Sequence, residues 1–264
     1  KNVHVGTADA KITFIGNYIG NKDIKFAIVP KDVNETGDGR EVSITSIPDQ
    51  EYTGKNVMPA LDVVYRDGDY VTVLKQGTDY NVTYSDNIVR GTASVVLEFI
   101  GDFKGTKTTT FQIVPKKVEN LTFEPIENVV YTGVEQTPAL VIKNGDIILE
   151  EGKDYVVSYT NNVVVGTAQA IIVFSDFEGC VGNYTGSKTM EFTILPKQAE
   201  DCTVKFAIPN QIYSYTGDVI KPEVIVKDGE KVLVESIDYT VTYDYDKNVG
   251  KKEIQVDFKG NYTG

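Results

Sequence analysis

The stretch GNYTGSKTMEFTILP, residues 182–196, decides how this chain is read. Two glycines four apart, followed by Ser187, Lys188 and Thr189, have the outline of a phosphate-binding loop. Such a loop needs a helix behind it, whose first N–H groups cradle the anion. Here Thr189, Glu191 and Thr193 alternate with Met190, Phe192 and Ile194. A period of two belongs to a strand with one buried face. The lysine also falls outside the required spacing, so the stretch is a turn followed by a strand.

The same words recur along the chain, and repeats govern the fold assignment. GNYIGNKDIKFAIVP stands at 16–30, GDFKGTKTTTFQIVP at 101–115, and GNYTG again at 260–264. YTG occurs at 52–54, 131–133 and 215–217, and Pro59, Pro138 and Pro222 each fall five residues after its glycine. The pairs Asp67-Gly68, Asn144-Gly145 and Asp228-Gly229 mark hairpin turns. Then come GTDYNVTY (77–84), GKDYVVSY (152–159) and SIDYTVTY (236–243). GTA follows at 91–93 and 166–168, with an early copy at 6–8 and GKK in its place at 250–252. The expected organisation is a partial repeat at 1–30 holding the last two strands, repeats at 31–115 and 116–196, and a truncated repeat at 197–264. Both ends fall inside a repeat, so the chain is expected to be a section of a longer protein.

Repeat two shows the local grammar. KVENLTF (117–123) is expected to be a first strand and PALVIK (138–143) a later one, since proline is tolerated at a strand's first residue. DYVVSY, TAQAIIVF and KTMEFTIL alternate as half-buried strands. No segment carries helical periodicity, and turn signals come every 8–12 residues. The fold expected is all-β: tandem immunoglobulin-like β-sandwich repeats of 85 and 81 residues.

The composition narrows the function. With 264 residues, 41% hydrophobic and 24% charged, the chain can bury several small cores. Its net charge of −12, without a basic stripe, argues against a nucleic-acid partner. No apolar run is long enough to span a bilayer, so no membrane insertion is expected within these residues. The two cysteines, Cys180 and Cys202, are too few for a disulfide framework. They form either one bridge between repeats or two free thiols. A zinc site would need two further ligands.

Candidate site residues are few. The tyrosines of the DY blocks, Tyr80, Tyr155 and Tyr239, and those four later, Tyr84, Tyr159 and Tyr243, are expected in the core, with a corner hydrogen bond from a hydroxyl. The GNY tyrosines (Tyr18, Tyr184, Tyr262) are placed in turns and expected to be exposed. Phe177 lies in the stretch 175–180 that the other repeats lack. Phe177 and Tyr184 are therefore the candidate binding residues. No catalytic, cofactor or metal residue is assigned. The one histidine, His4, aligns with Val89 and Val164 as a strand side chain, which leaves no histidine-based triad. The acidic turn at 66–70 lacks the ligand ladder of a calcium loop.

The ordered pattern YTG, proline, DG, GxDYxVxY, GTA, GNYTG and FxIxP resembles the tandem immunoglobulin-like repeats of cell-surface proteins from Gram-positive, often gut-dwelling, bacteria. The resemblance spans the whole chain and carries no chemistry of its own. It implies a non-catalytic stalk that is extracellular, on the bacterial surface or secreted, and that presents a binding or catalytic head. Its partners are then neighbouring repeats of the same chain. The alternative is an adhesin or carbohydrate-binding module that contacts host glycan or matrix protein through its turns. Stalk domains of this kind sometimes carry a lysine–asparagine isopeptide bond. Lys31, Lys116 and Lys197 after the boundary prolines, with Asp79, Asp154 or Asp238 as the acid, are the residues to test for it.

Overall fold

In repeats one and two the last strand pairs on both edges, and the rest of the repeat is arranged to let it. The computed structural model describes residues 3–35, 37, 39–175 and 182–264. They are almost wholly strand, joined by turns and two short 3-10 segments, Val118–Asn120 and Ala199–Asp201. The chain divides into two compact units, Lys1–Asn120 with Ser175–Thr185, and Leu121–Phe174 with Gly186–Gly264.

In the first unit, β1 (Gly6–Thr13) and β2 (Asn21–Ile28) form an antiparallel hairpin. Repeat one then contributes β3 (Lys31–Asp32), β4 (Arg40–Ile44), β5 (Gln50–Glu51), β6 (Val63–Asp67), β7 (Tyr70–Val73), β8 (Tyr80–Ser85), β9 (Gly91–Phe99) and β10 (Phe103–Val114). One sheet runs β3-β10-β9-β8, with β5 also on β10; the other runs β4-β6-β7. β10 is antiparallel to β9 along its length, while β3 and β5 lie parallel to its two ends. The faces close as a sandwich over Val42, Val63, Leu74, Tyr80, Val95, Leu97, Phe111 and Ile113, all buried. Alternation along β9 delivers this: Ala93, Val95, Leu97 and Phe99 point inward while their neighbours are more exposed.

Repeat two follows the same plan. Val156–Thr160, Gly166–Phe174 and Tyr184–Leu195 form consecutive antiparallel ladders, and Val129–Val130 lies parallel to the end of the last strand. Thr122–Phe123, Ile142–Asn144 and Ile147–Ile148 make the second sheet. KVENLTF is broken where one strand was expected: Lys116–Lys117 pairs with Tyr184–Thr185, a 3-10 turn follows, and Thr122–Phe123 crosses to the other sheet. A continuous strand cannot serve both sheets, so the turn carries the chain between them.

In repeat three, Thr203–Phe206, Val224–Asp228 and Lys231–Val232 rebuild the small sheet. Tyr239–Tyr243 pairs with Ile254–Phe258, and Lys197–Gln198 with Tyr262–Thr263.

The expected hydroxyl bond recurs in each repeat. Tyr84, Tyr159 and Tyr243 donate to the carbonyls of Pro59, Pro138 and Pro222 at 2.6, 2.6 and 2.7 Å. The aspartates of the DY blocks cap a turn: Asp79, Asp154 and Asp238 accept the backbone N–H four residues earlier, at 2.8–2.9 Å. In the same turn Gly77 and Gly152 have φ of +81° and +80°, and Ser236 is held at +71°. That region costs an L-residue about 1–2 kcal/mol. Replacing Ser236 by glycine should therefore stabilise the second unit by about 1 kcal/mol, read as a higher urea midpoint at unchanged slope. An unchanged midpoint would mean that this turn carries no strain.

Candidate inter-repeat joint

The GNY turn is the place where one repeat meets the segment before it. In the first unit, Asn183 Oδ1 accepts the N–H of Arg90 at 3.0 Å, the residue before the glycine of the GTA block. The neighbouring Tyr184 ring stands edge-on to Tyr52 of the YTG block, 5.3 Å between centroids. In the second unit, Asn261 Oδ1 accepts the N–H of Val165 at 3.0 Å, and Tyr262 stands edge-on to Tyr131 at 5.6 Å. Near the N-terminus, Asp102 Oδ1 accepts the N–H of Val5 at 2.7 Å. Each acceptor comes from the GNY (or GDF) turn, and each donor immediately precedes GTA.

The turn is fixed from below. Gly101 and Gly260 have φ near +70°, and a side chain there would meet the carbonyls of Thr78 and Ile237 at 3.1 Å. The preceding N–H groups of Ile100 and Lys259 donate to the carbonyls of Asp79 and Asp238. Only glycine lets the turn lie this close to the DY loop while aiming the next side chain outward. The boundary lysine completes the frame: the N–H groups of Lys31, Lys116 and Lys197 donate to the carbonyls of Asp102, Asn183 and Asn261.

This geometry corrects the reading of Tyr184. It lies in the first position of a strand, paired with Lys116, and is 3% exposed. Tyr184 is therefore packing and not a surface contact. Tyr262 is likewise 2% exposed, whereas Tyr18 is 72% exposed. Phe177 and Cys180 lie outside the described residues. Cys202 is a half-buried free thiol whose pKa is raised by burial. His4 sits in a bend before β1, not on the strand, and its Nδ1 is 2.6 Å from Asp102 Oδ2. The His4 hydrogen bond, and then the Val5 N–H, hold the Asp102 carboxyl below the usual range. The lysines considered for an isopeptide bond meet carboxylates: Lys31 with Glu35, Lys116 with Glu51, and Lys197 with Asp228. The DY aspartates, the acids considered for that bond, instead cap turns by accepting backbone N–H groups. No group of metal-ligating side chains occurs among the described residues.

The second-unit joint has a polar centre that sequence reading missed. Lys231 Nζ donates to the hydroxyls of Tyr131 and Tyr262 at 3.2 and 3.4 Å, and sits over both rings at about 5.5 Å. Tyr262 donates to Asp228 Oδ2 at 3.2 Å, and Lys197 Nζ to Asp228 Oδ1 at 2.6 Å. Lys231 gave no signal because the repeat pattern assigns nothing to its position, which Ile147 and Tyr70 fill in the other repeats.

The chain matches no family model, no curated protein and no solved structure.

Two outcomes test the joint. Asn261→Ala should cost about 1–2 kcal/mol and speed hydrogen exchange at the Val165 amide; an unchanged rate there would remove Asn261 as its partner. Burial pushes the Tyr262 hydroxyl up to about 12, against the pull of Lys231. A raised tyrosine value means the neutral form is favoured in the fold. The stability it supplies is complete below the ordinary value near 10 and is lost as pH rises toward 12. Denaturation midpoints should fall through that window, and Tyr262→Phe should flatten the fall.

Proposed function

We propose that this chain is a non-catalytic stalk of a bacterial cell-surface or secreted protein, a run of strand-rich spacers that holds a binding or catalytic head away from its anchor. The observation that carries this reading is the recurring joint. The same hydrogen bond, from the amide before GTA to the side chain of the GNY or GDF turn, is made by Asp102, Asn183 and Asn261. Two of the three add an edge-on tyrosine pair. A chain whose recurring side chains go into joining its own repeats is built to transmit position. The boundary prolines, Pro115 and Pro196, leave no slack between repeats. The acidic surface fits an exposed, soluble spacer.

The host-contact reading has lost one of its candidate residues, since Tyr184 is buried. Binding of the chain to polysaccharides, mucin and matrix proteins should give no saturable signal, alongside a version lacking residues 175–180. Saturable binding by the intact chain that disappears with the deletion would overturn the stalk reading in favour of an adhesin.

A further inference from the structure

Repeat one carries a longer hairpin than the repeats that follow it. Val63, Ile142 and Val226 are equivalent: each carbonyl accepts the N–H of the leucine that ends the hairpin, Leu74, Leu149 or Leu233, at 2.8–2.9 Å. Four residues stand between Val63 and Gly68, against two before Gly145 and two before Gly229. Five stand between Gly68 and Leu74, against three in each of the other repeats. Both arms are thus two residues longer, and the acidic turn at 66–70 is the tip of the extension. The return arm, β7, has four residues, while its counterparts Ile147–Ile148 and Lys231–Val232 have two.

β7 is an open edge, since its sheet runs β4-β6-β7 and ends there. Uncovered edges are ordinarily kept short or interrupted by a charge or a proline. Tyr70-Val71-Thr72-Val73 has neither, and Tyr70, Val71 and Val73 are 82%, 51% and 62% exposed. The free backbone groups follow from the ladder. Leu74 bonds Val63, and bonded and non-bonded pairs alternate along an antiparallel pair of strands. Thr72 and Tyr70 therefore bond Tyr65 and Asp67, while Val71 and Val73 form the non-bonded pairs with Arg66 and Val64. The N–H and C=O groups of Val71 and Val73 point away from β6. They make one row of two donors and two acceptors, with no backbone partner among the described residues.

We propose that this edge pairs with the same edge of a second copy, β7 against β7, antiparallel and centred on Thr72. The row of donors and acceptors is complementary to its own two-fold image. Centred on Thr72, Val71 of each copy stands opposite Val73 of the other, and four hydrogen bonds form. Centred on Val71 or on Val73, only two form between these residues. The same register matches the side chains. Tyr65, paired with Thr72, packs into the core, so Val71 and Val73 lie with Val64 on the outer face and meet their equivalents there. Tyr70 comes opposite Leu74. Asp69 comes opposite Lys75 at both ends of the contact, and both side chains are exposed. An isologous contact of this kind closes at a dimer. Four residues a side make a small interface, so a dissociation constant on the order of 100 μM is expected. The inference rests on the sheet edge and stands apart from the stalk reading.

Sedimentation of the 264-residue chain from about 10 μM to about 1 mM tests this, with thermal unfolding recorded on each variant. Mass should rise toward twice the 29.1 kDa protomer and stop there. Val71→Pro removes an N–H that its own sheet does not use, and with it two of the four bonds. It should raise the dissociation constant about 30-fold and leave the unfolding temperature in place. Asp69→Lys should raise it about tenfold, and Lys75→Asp added to that variant should restore it. If Val71→Pro itself lowers the unfolding temperature, the charge exchange decides. A chain that stays monomeric throughout would overturn the proposal. So would association that Val71→Pro leaves intact in a folded chain, which would place the contact on another surface. Failure of Lys75→Asp to restore association would overturn the register about Thr72.

Discussion

Repeats one and two each depend on one strand having neighbours on both edges. β10 and its counterpart Tyr184–Leu195 pair antiparallel with the strand before them and parallel with two short segments from the start of their own repeat. Because those segments lie at opposite ends of the strand, one laid beside the boundary lysine and the other beside the YTG block, the strand ties the repeat's beginning to its end. Its phenylalanine and isoleucine then supply the centre of the core.

The joint inherits its geometry from that strand. The GNY turn opens the strand, so whatever fixes the strand also fixes the asparagine that reaches the preceding repeat. The donor is a backbone amide and the acceptor a short side chain on a turn whose glycine, at Gly101 and Gly260, has positive φ and lies close against the DY loop. Neither partner has much rotamer freedom to lose, and a bond of ordinary strength is enough to set a position. The tyrosine pair beside it adds apolar contact, and in the second unit Lys231 and Asp228 add charge.

Much of this was legible in the residues. Period-two alternation in TAQAIIVF and KTMEFTIL located strands, and the DG and NG pairs located hairpins, because both signals are local. The corner hydroxyl bonds of Tyr84, Tyr159 and Tyr243 followed from tyrosines recurring at a fixed distance on one strand face. Tyr184 was misplaced because glycine and asparagine signal a turn without saying where it stops. Its burial depends on Tyr52, more than a hundred positions away in sequence. The two-sheet split of KVENLTF was hidden for the same reason: the residues record that they are extended but not which partner they pair with. Lys231 belongs to one repeat only, and a reading built on recurrence passes over it.

The donor side of the joint has a consequence for how such chains grow. Arg90, Val165 and Val5 share no side-chain chemistry, and none is needed, since any residue other than proline presents the same amide. The acceptor travels with the turn of one cassette and the donor with the strand of the next one back. Duplicating or deleting any stretch one repeat long therefore leaves every junction with both halves. Genetic recombination can lengthen or shorten the array in whole steps, and no compensating mutation is required at the seams.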